Sequence, residues 1–286
     1  MEISKVYAVY FSPAGSTGKL TEYIAAEAAR LLAVPDAETK SDGTDSGYEV
    51  IDFTLPAARE KTYSFGPGDL VVFGTPTYAG RIPNKALPFV QELFSADRTP
   101  YIAVATFGNR NYDNVLNELV FEGKENGFIP LGAGAFPAKH VFSDMMAVGR
   151  PDAEDLKTAD SFCAQVVGKI ESAGSADELV PIELGEVGPY YTPLREDGER
   201  AVFLRAKPKT DPEKCVKCGI CAKKCPMGSI DPEDVSNIPG VCIKCYSCVT
   251  RCPKGAKYFD DEQLISHIRV LEKKYGGVRS KVALFV

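Results

Sequence analysis

KVYAVYF at residues 5–11 runs directly into FSPAGSTGK at 11–19, and that join sets the architecture of the first half of the chain. A run rich in Val, Tyr and Phe reads as a buried strand. Leu20, Ile24, Ala28 and Leu31 then recur at helical spacing, so Ser16 to Leu32 reads as a helix. The loop between them carries hydroxyls at Ser12, Ser16 and Thr17, and Gly15 allows close backbone approach. Amide donors and the positive end of the helix would then surround an anionic phosphate. The loop is not that of the P-loop NTPases, because only Ser16 and Thr17 separate Gly15 from Gly18-Lys19.

Outward from this unit, strand and helix keep alternating. Strands are expected at 48–53, 70–75, 101–107 and 128–136, and helices at 84–94, 112–124 and 152–171. Five strands alternating with helices predict an α/β domain with a parallel doubly wound sheet. Residues 34–47 and 173–200, rich in Gly, Pro and acidic side chains, read as a surface loop and a linker. Ligands in such sheets sit beyond the strand C-termini, where GTPTYAGR (74–81) and FGNRNYDN (107–114) fall. Tyr78 and Tyr112 are suited to flank a flat aromatic ring while backbone groups bond its edge. Asn109 and Arg110 either touch that ring or shape the turn. His140, after the last strand, reads as a structural hydrogen-bonding residue, and no residue is assigned a catalytic role. Cys163 lies on the apolar face of the last helix with Phe162 and Val166 and reads as a buried thiol. GAGAFP at 132–137 ends in Pro, so a nicotinamide-type glycine fingerprint is unsupported.

The second half is written in cysteine. Of nine cysteines in 286 residues, eight lie between Cys215 and Cys252. EKCVKCGICAKKCP (213–226) is repeated as VCIKCYSCVTRCP (241–253), with spacing x2, x2, x3 and Pro after each fourth cysteine. The N-terminus lacks a secretory pattern, and no apolar run approaches the roughly 18 to 20 residues of a membrane span. A cytoplasmic protein is expected, and there eight crowded thiols suit metal ligation better than disulfides. Charge changes at the same boundary: 15 basic against 23 acidic residues over 1–172, but 11 against 6 over 205–260, within a net charge of −6. A basic cysteine-rich module could be a zinc or nucleic-acid binder. The tight repeated spacing argues instead for iron-sulfur clusters, whose own charge of about −2 each would absorb most of that excess. Thioredoxin-like and radical-SAM spacings do not fit.

The two cysteine runs resemble those of the bacterial two-cluster ferredoxins, and the three loops of the first half resemble those of the flavodoxins. Their order is similar to that of flavodoxin-ferredoxin fusion proteins. The resemblance implies a flavodoxin-like domain over 1–172 and a small α+β ferredoxin domain over 205–260; composition makes 173–204 the linker, and in the C-terminal helix and tail over 261–286, Glu262 to Lys274 reads as an amphipathic helix and Val282 to Val286 as a final strand. The resemblance further implies two 4Fe-4S clusters in crossed sets, Cys215, Cys218, Cys221 and Cys252 for one and Cys242, Cys245, Cys248 and Cys225 for the other. In that family the fourth cysteine opens a helix, whose first turn would accept Pro226 or Pro253. It also implies FMN held by Ser12, Pro13, Ala14, Gly15, Ser16 and Thr17 at the phosphate, and by Thr75, Pro76, Thr77, Tyr78, Ala79, Gly80, Phe107, Gly108, Asn109, Tyr112 and Asn114 around the ring. Ala14 stands where flavodoxins usually carry threonine, so phosphate binding leans on Ser12, Ser16, Thr17 and backbone amides. The implied role is passage of single electrons between external redox proteins (ferredoxin- or flavodoxin-dependent enzymes), the clusters and FMN, in an oxygen-poor cell. The alternative is an FMN-dependent reductase of a small substrate fed by its own clusters; no nucleic acid is expected as partner.

Overall fold

The computed structural model describes residues 1–34 and 47–286. Most of the surface loop expected at 34–47 lies outside them. In chain order the elements are β1 (Lys5–Tyr10), α1 (Ser16–Leu31), β2 (Glu49–Asp52), β3 (Tyr63–Phe65), β4 (Asp69–Pro76), α2 (Leu87–Glu92), β5 (Phe94–Ala96), β6 (Thr99–Phe107), α3 (Val115–Glu125), β7 (Phe128–Pro137) and α4 (Ala153–Ser172). The cysteine-rich part adds β8 (Lys209–Thr210), α5 (Ile220–Lys223), α6 (Ser247–Thr250) and β9 (Lys257–Tyr258), and the chain closes with α7 (Glu262–Tyr275) and β10 (Ala283–Phe285).

The main sheet runs β10-β7-β6-β4-β1-β2. Its five parallel strands, taken in chain order, lie 2-1-3-4-5, the flavodoxin-type order of doubly wound sheets. Side chains alternate between two cores. Val6, Ala8, Leu70, Val72, Ile102 and Val104 meet α1 and α4, whereas Val9, Val71, Phe73, Tyr101 and Ala103 meet α2 and α3. Burying each large apolar side chain contributes about 1.5–3 kcal/mol, so this two-sided coverage fixes the register.

Two differences from the expected fold are instructive. The sheet has six strands rather than five, because β10 at the end of the chain pairs antiparallel with β7, Ala283 opposite Ala135. The helix expected at 84–94 is shortened to α2, which starts on Leu87-Pro88, and Phe94 leaves it to pair in the small parallel β3–β5 ladder.

The cysteine-rich part is therefore tied to the sheet at both ends. On entry, residues of the expected linker lie along the first domain: Ile182 N donates to Pro130 O at 2.7 Å, and Tyr191 N to Ala79 O at 2.8 Å. On exit, the Asn109 amide donates to Tyr275 O and Val278 O at 2.8 and 2.7 Å, and Arg279 pairs with Asp152 at 2.8 Å. Asp152 caps α4, and the Arg279 guanidinium, ahead of the Asp155 amide, holds its carboxyl well below the usual carboxylate range.

Candidate redox site

Each cysteine run closes on itself by the same backbone device. Lys217 and Gly219 in the first, and Lys244 and Tyr246 in the second, take left-handed φ of 54°, 72°, 57° and 58°. These turns swing three thiols to one side before the short helices α5 and α6, which hold Cys221 and Cys248. The fourth cysteine of each run does not open a helix. Pro226 and Pro253 instead occupy the second position of tight turns, closed by Gly228 N to Cys225 O (3.0 Å) and Gly255 N to Cys252 O (3.1 Å). Proline fits there because its fixed φ suits that position and it has no amide to satisfy.

Two cavities result. The first is lined by Cys215, Cys218, Cys221 and Cys252, the second by Cys225, Cys242, Cys245 and Cys248. Each therefore draws three thiols from one run and one from the other. Among the described residues, no three His, Cys, Asp or Glu side chains converge closely enough to hold a single metal ion. Amide donors reach the sulfurs: Ser229 N to Cys225 Sγ at 3.3 Å, Lys244 N to Cys242 Sγ at 3.4 Å and Ala256 N to Cys252 Sγ at 3.2 Å. Burial pushes the Cys245 and Cys248 thiols up to about 12, so a thiolate there needs a positive partner. Burial also opposes ionisation of Cys252, but four amides, Ala256 first, outweigh it and lower that thiol. Lys257, 3% exposed, lines the first cavity and makes both Cys221 and Cys248 easier to ionise, a buried cation serving both sets.

The loops of the first domain meet at the switch point of the sheet. Gly15 caps α1 at φ 98°, a left-handed conformation that glycine adopts without strain; no side chain caps the helix and no acidic residue sits in its first turn. The hydroxyls near it are mostly engaged elsewhere. Ser12 Oγ accepts from Gly18 N at 2.8 Å, Thr17 Oγ1 pairs with Thr106 Oγ1 at 2.6 Å and Lys19 N donates to Gly15 O at 3.2 Å, leaving the Ser16 and Thr17 amides of the first turn. In the second loop, Tyr78 and Arg81 bond each other's backbones across Ala79 (φ 48°) and Gly80 (φ 81°), a turn of two left-handed residues. Thr75 Oγ1 and Thr77 Oγ1 are buried there with no hydrogen-bond partner, as polar groups awaiting a ligand would be. Tyr78 is half-buried; burial, then the charges of the Cys245 and Cys242 thiols, push its phenol well above its ordinary value.

In the third loop, Tyr112 packs on Phe107 at 5.8 Å, Asn114 N donates to Gly80 O at 2.9 Å, and Asn109 is 1% exposed and committed to the C-terminal tail. His140 covers Gly108, its Nδ1 accepts from Phe142 N at 3.2 Å, and burial lowers it to about 4. It is neutral at pH 7, as a structural histidine is. Cys163 is fully buried, with its thiol pushed up to about 12 by burial.

Sequence reasoning passed over three contacts that join the halves. Phe142 sits 4.7 Å from Tyr246, which stacks at 4.7 Å on Phe259. Ile243, inside the second cysteine run, packs against the α2–α3 core. Arg251 Nη2 reaches Pro13 O at 3.5 Å. An aromatic or a cation inside a cysteine run carries no signal of which distant loop it meets, so only the fold brings these out.

Residues 200–257 match the family model of the 4Fe-4S dicluster domain. No curated protein matches the chain. Similar solved structures include a flavodoxin of Streptococcus pneumonia TIGR4, 14% identical, covering 57% of this chain and 98% of that one with a TM-score of 0.38. Strand order, not that likeness, carries the fold. The chain thus joins a domain of flavodoxin topology to a C-terminal 4Fe-4S ferredoxin-like domain, and the general role of such a pairing is electron transfer. No helix of the described residues is long and apolar enough to cross a membrane.

Proposed function

We propose that this protein moves single electrons between an external redox protein, two 4Fe-4S clusters and FMN. The observation that carries the reading is the sorting of eight cysteines into two cavities, each lined by three thiols of one run and one of the other. Residues 1–172 would hold FMN and 205–260 the clusters, with 173–204 and 261–286 strapping one to the other. Cys215, Cys218, Cys221 and Cys252 would bind one cluster and Cys225, Cys242, Cys245 and Cys248 the other. The residue chemistry fits. A tetrahedral zinc draws four sulfurs to about 2.3 Å from one centre, whereas these thiols line the walls of wider cavities and receive amide hydrogen bonds.

FMN would rest its phosphate on residues 12–17 and its ring among the loops at 75–80 and 107–114, where Thr77 Oγ1 lacks a partner. When bound, each cluster supplies a one-electron couple, and FMN accepts electrons singly or in pairs. The protein's own work is to fix these groups at close range and keep water from the second cavity. The reductase alternative gains nothing from His140, which is neutral and holds the Phe142 amide. An oxygen-poor cytoplasm suits a cavity whose Cys218 is exposed.

Composition tests the proposal. Protein purified without oxygen should carry roughly eight iron, eight sulfide and one FMN per chain. Zinc in place of iron, with no flavin, would end it.

A further inference from the structure

The phosphate loop is poor in the groups that hold a phosphate. Residues 12–17 contain no cation, Ala14 offers no hydroxyl, and Thr17 pairs its own with Thr106, while Ser12 Oγ accepts from Gly18 N and keeps its proton to donate. What remain are the Ser12 and Ser16 hydroxyl protons and the Ser16 and Thr17 amides at the start of α1. An FMN phosphate carries close to two negative charges at pH 7, whereas a helix N-terminus supplies only about half a positive charge.

A cation does stand at this loop, and it comes from the other domain. Arg251 immediately precedes Cys252 in the second cysteine run, yet its Nη2 lies 3.5 Å from Pro13 O and 3.5 Å from the place a Cβ on Gly15 would occupy. Pro13 O is its hydrogen-bond acceptor among the described residues, and none of their carboxylates forms an ion pair with it. A guanidinium has five N–H donors, so most of its fork is free, at a spot where the absence of a side chain on Gly15 leaves room. The amides of α1 and this guanidinium thus border one space from two sides.

We propose that Arg251 is a phosphate-binding residue supplied across the domain boundary, so that the FMN phosphate site is complete only while the cysteine-rich domain is docked. The proposal rests on the reading of residues 12–17 as the flavin phosphate loop. It makes flavin retention and domain docking reciprocal: whatever loosens one weakens the other. It also explains how a loop lacking a threonine at position 14 can still hold the cofactor.

The test is a pair of anaerobic titrations of flavin-stripped, cluster-loaded protein, followed by quenching of flavin fluorescence: one with FMN, one with riboflavin, which has the same ring and no phosphate. Arg251→Gln should weaken FMN about ten- to thirty-fold, leave riboflavin unchanged, and flatten the salt dependence of FMN binding. Arg251→Lys, keeping the charge but not the fork, should recover part of the loss. Visible absorption of the clusters in each variant shows that Cys252 is undisturbed. FMN binding unaltered in Arg251→Gln would overturn the proposal. So would equal weakening of FMN and riboflavin, which would make Arg251 a staple between domains only. If the unsubstituted protein shows no preference for FMN over riboflavin, the phosphate-loop reading itself fails.

Discussion

The two cysteine runs have the same spacing and different surroundings. In the first, Cys218 is exposed and Val216 is 58% exposed. In the second, Cys245, the counterpart of Cys218, is buried, and Ile243, the counterpart of Val216, packs against the core of the α/β domain. Gly219 takes the left-handed turn of the first run, where a Cβ would meet nothing within 4 Å; Tyr246 takes it in the second, wedged between Phe142 and Phe259. Spacing therefore sets how thiols gather, while the residues between them decide which cavity faces the flavin-type loops and which faces solvent.

Removing thiols breaks the comparison most severely. Cys218→Ala and Cys245→Ala should each cost one cluster, roughly half the iron. Cys218→Ala should leave FMN in place and slow its reduction by an external iron-sulfur donor; iron analysis and anaerobic flavin bleaching check both, and full iron with unchanged rates would count against the ligand sets.

Tyr246→Gly comes next. It relieves a strained backbone by about 1–2 kcal/mol but deletes a ring of the kind whose loss costs about 3–5 kcal/mol, so a net loss of about 1–4 kcal/mol is expected in anaerobic urea unfolding. A stabilised variant would show that the ring does not brace the docked domain.

His140 gives the comparison a pH signature, because it lies against Phe142 beneath the second run only. Burial lowers its folded pKa to about 4 from an unfolded value near 6.5, so its neutral form stabilises the fold above 6.5. That contribution falls between pH 6.5 and 4, by up to about 3 kcal/mol, as the unfolded chain takes up a proton the folded one resists. His140→Asn should remove His140's share of the slope and leave that of His267, which burial also lowers; an equal slope in the variant would place its origin elsewhere.

Gly219→Ala should have the smallest effect, about 1–2 kcal/mol from the left-handed φ alone, read as a lower urea midpoint with both clusters retained. A larger loss, or a missing cluster, would mean that the first run is packed as tightly as the second.

Much of this was legible in the sequence. The cysteine spacing and the strand–helix alternation are local patterns, and eight thiols crowded into 215–252 leave few chemical options. The closing strand was legible at Val282 to Val286 but its place in the main sheet was not, since its partner β7 ends almost 150 positions earlier. The 173–204 segment looked like a plain linker because its Gly, Pro and acidic content hides main-chain bonds such as Tyr191 N to Ala79 O. The hydroxyls of Ser12 and Thr17 pointed to phosphate in the sequence, but packing turned them toward Gly18 and Thr106. Tertiary contacts of this kind depend on where distant strands end, and no window of sequence contains them.

The central claim is that one chain holds two one-electron centres and a flavin in electronic contact. An anaerobic reductive titration followed by visible absorption and EPR tests it most directly. Uptake of about four electrons per chain, with two reduced-cluster signals and bleaching of the flavin, is the predicted result. Uptake of two or fewer, without a cluster signal, would contradict it.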